Sequence, residues 1–181
     1  MRNFRTEGII IRRRDFKDAD RILTVLTRDH GKIAVRASGI RRIPSRRSPH
    51  VELLNHCTLS LYQGSKFPIL TEAQTLDSFS SIKDDLHKIG LAYHLCELVD
   101  GLCPEGQENR GVFGLVKTTL TRLSLEENEA ALVHNFQTEL LSLLGYWNKQ
   151  EFLSKEMDMD HFVENILERK LKSKSIFAKL Q

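Results

Sequence analysis

The sequence predicts an α+β chain, a five-stranded β-barrel over residues 1–78 followed by an all-α domain over residues 79–181. Three observations carry that expectation. Apolar residues alternate with a period of two through the first 78 residues, and from Ser80 onward they recur with the 3.6-residue period of a helix. The charge changes with the period: residues 1–50 carry 14 Lys or Arg against 5 Asp or Glu, whereas residues 51–181 carry 13 against 19. A formal net charge of +3 therefore conceals one strongly basic end, the pattern of a chain that meets a polyanion there.

The elements follow in order. In "TEGIIIRRRDF" alternation places Ile9 and Ile11 on one face and Ile10 and Arg12 on the other. "ADRILTVLT" is rich in β-branched and apolar residues and ends at the turn signal "RDHG". "KIAVRAS" turns Ile33, Val35 and Ala37 to one side and Lys32, Ala34 and Arg36 to the other, giving a hairpin with a cationic solvent face. "VELLNHCTLSLYQ" sets Leu53, Cys57, Leu59 and Leu61 on one face, and "KFPILTEAQTLDS" supplies a fifth strand whose start alone is weakened by Pro68. Five short antiparallel strands with one long loop between the third and fourth must hide their edges, so an OB-type barrel is expected.

In the second part, "SSIKDDLHKIGLAYHLCELVDGL" carries stripes at Ile82, Leu86, Ile89, Tyr93 and Cys96 and at Leu91, Leu95, Leu98 and Leu102. Two apolar faces mark a helix packed on both sides. Ser80 or Ser81 with Asp84 resembles a capping box at its start. A second helix buries Val112, Val116, Leu120 and Leu123, and a third buries Leu132, Phe136, Leu140 and Leu144 before stopping at Gly145. "DMDHFVENILERKLKSKSIFAKL" closes the chain as a helix with acids at its start and lysines at its end.

No run of about 18 apolar residues spans a membrane and no signal-peptide core is present, so an intracellular protein is expected. Cys57, Cys96 and Cys103 form no CxxC pair and read as buried thiols. Phosphate-loop, GxSxG and HExxH motifs are absent, and His87 and His94 have no third ligand, so neither an enzyme nor a cofactor or metal is expected.

The basic residues carry the functional signal. "SGIRRIPSRRSPH" holds Arg41, Arg42, Arg46 and Arg47, one glycine, two prolines and no acid. Arginine forks match phosphate oxygens, and binding that ignores sequence needs little beyond a positive track. Arg12, Arg14, Lys32 and Arg36 on the neighbouring strands extend that track, while Arg21 within "DADR" reads as paired with Asp18 or Asp20. Aromatics are few, so contacts to phosphate rather than base stacking are expected.

The N-terminal segment resembles the RecO family of bacterial recombination mediators. The likeness rests on the acidic step Asp18 to Arg21, the "T-x-x-x-G-K" hairpin Thr27 to Lys32 and the arginine loop Ser38 to Arg46. "LERKLKSKSIFAKL" resembles the family's last helix. The resemblance implies an OB barrel followed by a helical domain, with binding of single- and double-stranded DNA and annealing of complementary strands. It also implies cooperation with RecR and single-stranded-DNA-binding protein when RecA is loaded, in the bacterial cytoplasm at the nucleoid. DNA contacts are then expected at Arg12, Arg14, Lys32, Arg36, Arg41, Arg42, Arg46 and Arg47. Arg110 and Lys117 flank Phe113 at helical spacing, and this patch would suit the acidic, hydrophobic-tipped tail of single-stranded-DNA-binding protein. One departure stands out: many family members carry a four-cysteine zinc module where this chain has "GYWNKQEFLSKEMDMDH". An OB-fold RNA-binding factor and a protein-interaction adaptor remain the alternatives.

Overall fold

A computed structural model describes residues 3–43, 45–125, 128–146 and 158–173. The chain divides into two compact units, one of residues 1–79 with 104–113 and the other of residues 80–103 with 114–181. The segment 104–113, which the sequence reading placed in the helical domain, is thus part of the barrel unit.

Strands β1 (Asn3–Phe16), β2 (Asp20–Thr27), β3 (Gly31–Ala37), β4 (His56–Tyr62) and β5 (Ile69–Asp77) close into a barrel in the order β1-β2-β3-β5-β4. The expected OB-type barrel is present, but it is not a simple antiparallel meander. Antiparallel pairs join β1 to β2 and to β4, β2 to β3, and β4 to β5, whereas β3 and β5 meet in parallel at Arg36 and Ile69. There the Arg36 N–H donates to the Pro68 carbonyl at 2.8 Å. Pro68 thus stands just before β5, where its missing N–H costs no ladder bond.

The interior is filled by Ile10, Leu23, Val25, Val35, Ala37, Cys57, Leu59, Leu61 and Leu70, with Ile40 and Val51 added from the β3–β4 connection. Burying each of the larger side chains contributes roughly 1.5–3 kcal/mol relative to exposure. Strict alternation fails in β1, where Ile9, Ile10 and Ile11 are all buried. The register shifts between Ile10 and Arg12, so a bulge inserts Ile11 and resets the pleat. Beyond the bulge Arg12 and Arg14 are exposed while Arg13 pairs with Glu52 at 2.6 Å.

In the helical unit α1 (Ser80–Lys83) and α2 (Leu86–Leu102) are separate helices. Asp85, not Ser80 or Ser81, caps α2, its carboxylate accepting from the N–H groups of His87 at 2.9 Å and Lys88 at 3.1 Å. Leu86, expected inside, therefore sits at the first helical position and is exposed. From Gly90 onward α2 is buried on several faces, as its two stripes require. Helices α3 (Arg110–Leu125) and α4 (Glu129–Leu143) bury Val116, Leu120 and Leu123 and Leu132, Phe136 and Leu140. Val112, in the four residues of α3 that group with the barrel unit, is buried as well. Gly145 follows α4 at φ +79°, the left-handed stop read from the sequence.

The closing helix is shorter than expected. α5 (Met159–Leu167) ends at Glu168 in the left-handed conformation, so the lysines read as its dipole-complementing end lie beyond it. Residues 174–181, and with them half of the family-like final helix, lie outside the described residues. The His87 and His94 pair also separates, His87 being exposed and His94 buried with Nδ1 2.8 Å from the Ser173 hydroxyl. The three cysteines are buried and form no disulfide among the described residues, and burial pushes the thiols of Cys57 and Cys96 up to about 12. Among the described residues no helix is long and apolar enough to cross a membrane, and no three His, Cys, Asp or Glu are grouped to hold a metal ion.

Glu97 ties α2 to the segment after α5. Its carboxylate accepts from Arg169 at 2.8 Å and from the backbone N–H groups of Lys172 and Ser173 at 2.9 Å each. Burial alone would raise its pKa, but these donors overcome that and bring it down from 4.5 to about 2. A folded pKa below the unfolded one gives stability that is complete above the unfolded value, near 4.5, and is lost as pH falls toward 2. Urea unfolding of Glu97→Gln and wild type should accordingly differ most at neutral pH, and the difference should shrink steadily below pH 4.5. A gap independent of pH would show that the carboxylate's charge does not hold this segment.

Candidate nucleic-acid interface

The connection between β3 and β4 is held by its own turns and by plugs in the barrel. Backbone N–H groups of Arg42, Ser45, Ser48 and His50 donate to the carbonyls of Gly39, Arg42, Ser45 and Arg47 at 2.9–3.3 Å. A 3-10 turn over Ser48–Val51 completes the series, with Pro49 at its start. Ile40 and Val51 enter the barrel core, so the loop lies over one end of the barrel. Gly39 takes φ +65°, a region open to glycine at little cost.

Asp20 at the start of β2 organises the loop from beneath. One carboxylate oxygen accepts the Gly39 N–H at 2.8 Å, and the other accepts two bonds from the Arg36 guanidinium at 2.9 and 2.7 Å. The Gly39 N–H first, and Arg36 next, hold its pKa below the usual carboxylate range. Asp20 is thus paired with Arg36, whereas Arg21 pairs with Asp15 at 2.9 Å rather than with Asp18 or Asp20. Its role was half-legible: "DADR" flags a paired aspartate, but a contact to a backbone N–H 19 residues away leaves no spacing to read.

Asp20, Arg36, Ser38, Gly39, Arg42, Ser45, Arg46 and Arg47 line an open cleft of about 470 Å³. Of the eight cations expected to touch DNA, it gathers Arg36, Arg42, Arg46 and Arg47 and leaves Arg12, Arg14, Lys32 and Arg41 off its lining. The four gathered side chains divide by what they hold. Arg36 is committed to Asp20. Arg47 donates to the carbonyls of Leu70 at 2.6 Å and Ser38 at 2.7 Å, bracing the loop against β5. Arg42 and Arg46 are exposed and make no ion pair among the described residues. The Ser45 hydroxyl oxygen is buried with no hydrogen-bond partner among the described residues. No aromatic among the described residues lines the cleft.

Outside the cleft, Arg41 donates to the Asp18 carbonyl at 3.4 Å and lies 3.5 Å from the Asp15 carboxylate. Lys32 is buried, so the cationic solvent face expected on β3 is reduced to Arg36. The cause is residues 104–107: Glu105 pairs in parallel with Lys32, and the Gly106 N–H donates to the Lys32 carbonyl at 2.8 Å. Two members of the expected tail-binding patch are engaged within the barrel unit. Phe113 is buried with its ring 6.0 Å from that of His56, and Arg110 is paired with Asp29 at 3.0 Å and Glu108 at 2.9 Å. Lys117 falls in the other compact unit.

A closed five-stranded barrel with a cationic loop over one end, continued by a helical unit, defines a class of small-barrel proteins with an α-helical extension. Residues 1–79 match the family Recombination protein O N terminal, and residues 83–147 match Recombination protein O C terminal. The chain belongs to the RecO family. It is 40% identical over 145 residues to the DNA repair protein RecO of Roseiflexus sp. (strain RS-1), covering 80% of this chain and 51% of that protein. Its identity to the RecO of Symbiobacterium thermophilum is 34% over 144 residues, 79% of this chain and 57% of the relative. With that of Desulforudis audaxviator it shares 34% over 146 residues, 81% of this chain and 58% of the relative. The chain thus spans about half the length of the curated relatives it matches.

Proposed function

We propose that this chain is a DNA-binding recombination mediator acting in DNA repair, and that it binds single- and double-stranded DNA through the cleft of the β3–β4 loop. The observation that carries the reading is the pair Arg42 and Arg46, exposed and without ion pairs among the described residues, beside the unpartnered hydroxyl of Ser45. A buried hydroxyl without a partner is costly, and a phosphate oxygen reaching the cleft wall would relieve that cost. Phosphate contacts position a strand without reading its sequence, and they leave base edges free to pair.

A strand held in that way can meet its complement. The chain therefore accelerates annealing of complementary oligonucleotides and works by holding strands rather than by bond-making chemistry. In the cell it would act with RecR to load RecA on DNA coated by single-stranded-DNA-binding protein, at the nucleoid in the cytoplasm. The names of its relatives, each a DNA repair protein RecO, support the cellular role.

The test is an annealing assay with two complementary, fluorescently labelled oligonucleotides. Annealing several-fold faster than the spontaneous reaction, suppressed by high salt, is expected. Binding without acceleration would instead favour a nucleic-acid-binding factor that does not anneal, and absence of both would leave the helical unit as the working part.

A further inference from the structure

Ile43 stands at the tip of the cationic loop and is 102% exposed, more than any other large apolar side chain among the described residues. The exposure is built in by the backbone. The Arg42 carbonyl accepts the Ser45 N–H at 2.9 Å, so Ile43 lies inside a tight turn that presents its side chain outward. That turn is continuous with the one opened by Gly39, and Ile40, three residues before the tip, is anchored in the barrel core. Arg42 and Arg46, which flank the tip, are exposed without ion pairs among the described residues. A β-branched residue held in water between such cations has nothing to gain from the folded chain itself.

We propose that Ile43 is a wedge that enters between adjacent bases of the strand whose phosphates Arg42 and Arg46 hold, and unstacks that step. The inference rests on the DNA-binding reading of the same loop. Apolar wedges of this size separate base steps in proteins that grip nucleic acid by its backbone, and charge complementarity brings the strand to the tip. The cleft lining has no aromatic among the described residues, so the aliphatic tip supplies the apolar surface that a base loses on unstacking. An unstacked step also keeps the strand from folding back on itself, which favours pairing with a complement.

The experiment uses the full chain, a single-stranded oligonucleotide carrying 2-aminopurine, and the variant Ile43→Ser. Stacking quenches this base, so saturating wild-type protein should raise its fluorescence at least about two-fold, and Ile43→Ser should abolish the rise. Affinity of the variant should fall about ten-fold with an unchanged salt slope, because an apolar contact and no phosphate contact is lost. Its unfolding midpoint should match wild type, since Ile43 touches no core. Retained affinity and fluorescence in Ile43→Ser, with wild type binding normally, would overturn the wedge alone. Absence of DNA binding by wild type at low salt would overturn the wedge together with the reading beneath it. Binding of wild type but not of Ile43→Ser to phosphatidylglycerol vesicles, with DNA affinity equal in both, would assign the tip to a lipid surface and overturn the proposal.

Discussion

Replacing Arg42 and Arg46 together by alanine should flatten the salt dependence of single-strand binding by about 1.4 units of log affinity per log salt, at roughly 0.7 for each phosphate contact. Both side chains are exposed and without ion pairs among the described residues, so their charge is available to a ligand and the fold does not depend on it. Unfolding by urea should shift by less than about 0.5 kcal/mol, the range of surface substitutions that break no specific feature. Affinity should fall alike on every sequence, since phosphates carry no base identity. A double variant with wild-type slope would show that these arginines point away from the strand, leaving Arg12, Arg14 and Arg41 as the exposed candidates.

Arg47 belongs to the same "SRRS" step but should answer differently. Its guanidinium donates to the carbonyls of Leu70 and Ser38, so Arg47→Ala removes a brace from β5 as well as a charge. Charge-assisted bonds of this kind contribute about 1.5–3 kcal/mol each, and the loop carries Ile40 and Val51 into the core. Alanine at all four loop positions would therefore mix lost binding with lost stability. The loop is a structural part of the barrel as well as a candidate site, and only two of its four arginines are spare.

The limits of the sequence are visible in particular residues. The alternation of β3 and β4 placed Ile33, Val35, Ala37, Leu53, Cys57, Leu59 and Leu61 on the core face; Ile33 and Leu53 are half-buried against the core and the others are buried. That success follows from the two-residue period of a strand, which needs no distant partner to be read. The bulge at Ile11 defeats the same rule because an inserted residue shows only in the register with β2. Closure of β3 on β5 rests on one parallel pair, Arg36 with Ile69, which leaves no periodic trace. At the site, the arginine loop was legible from its composition, but not the division of labour within it. Which guanidinium is spent depends on Asp20, Leu70 and Ser38, acceptors 9 to 23 residues away from their arginines. Burial of Lys32 by residues 104–107 is a more distant effect still, a tertiary contact between segments more than 70 positions apart.

Gly31→Ala should cost roughly 2–5 kcal/mol. Two penalties coincide there. Gly31 has φ +64°, where a Cβ meets the following carbonyl and costs about 1–2 kcal/mol. Its Cβ would also stand 2.0 Å from the Gln107 carbonyl oxygen and 2.4 Å from the carbon bearing it, so backbone rather than a pliant side chain must give way. The displaced segment is the one that covers Lys32, and the Gly106 N–H bond to the Lys32 carbonyl would be strained with it. Gly106→Ala separates the two penalties. Gly106 shares the left-handed backbone at φ +71° but has nothing within 4 Å of its would-be Cβ, so only the conformational cost of about 1–2 kcal/mol should appear. Urea unfolding of both variants reads the difference directly. Equal losses at the two glycines would mean that residues 104–107 yield without cost and that the cover over Lys32 is loose. A loss at Gly31 larger by at least about 1 kcal/mol would establish the segment as a fixed part of the barrel unit.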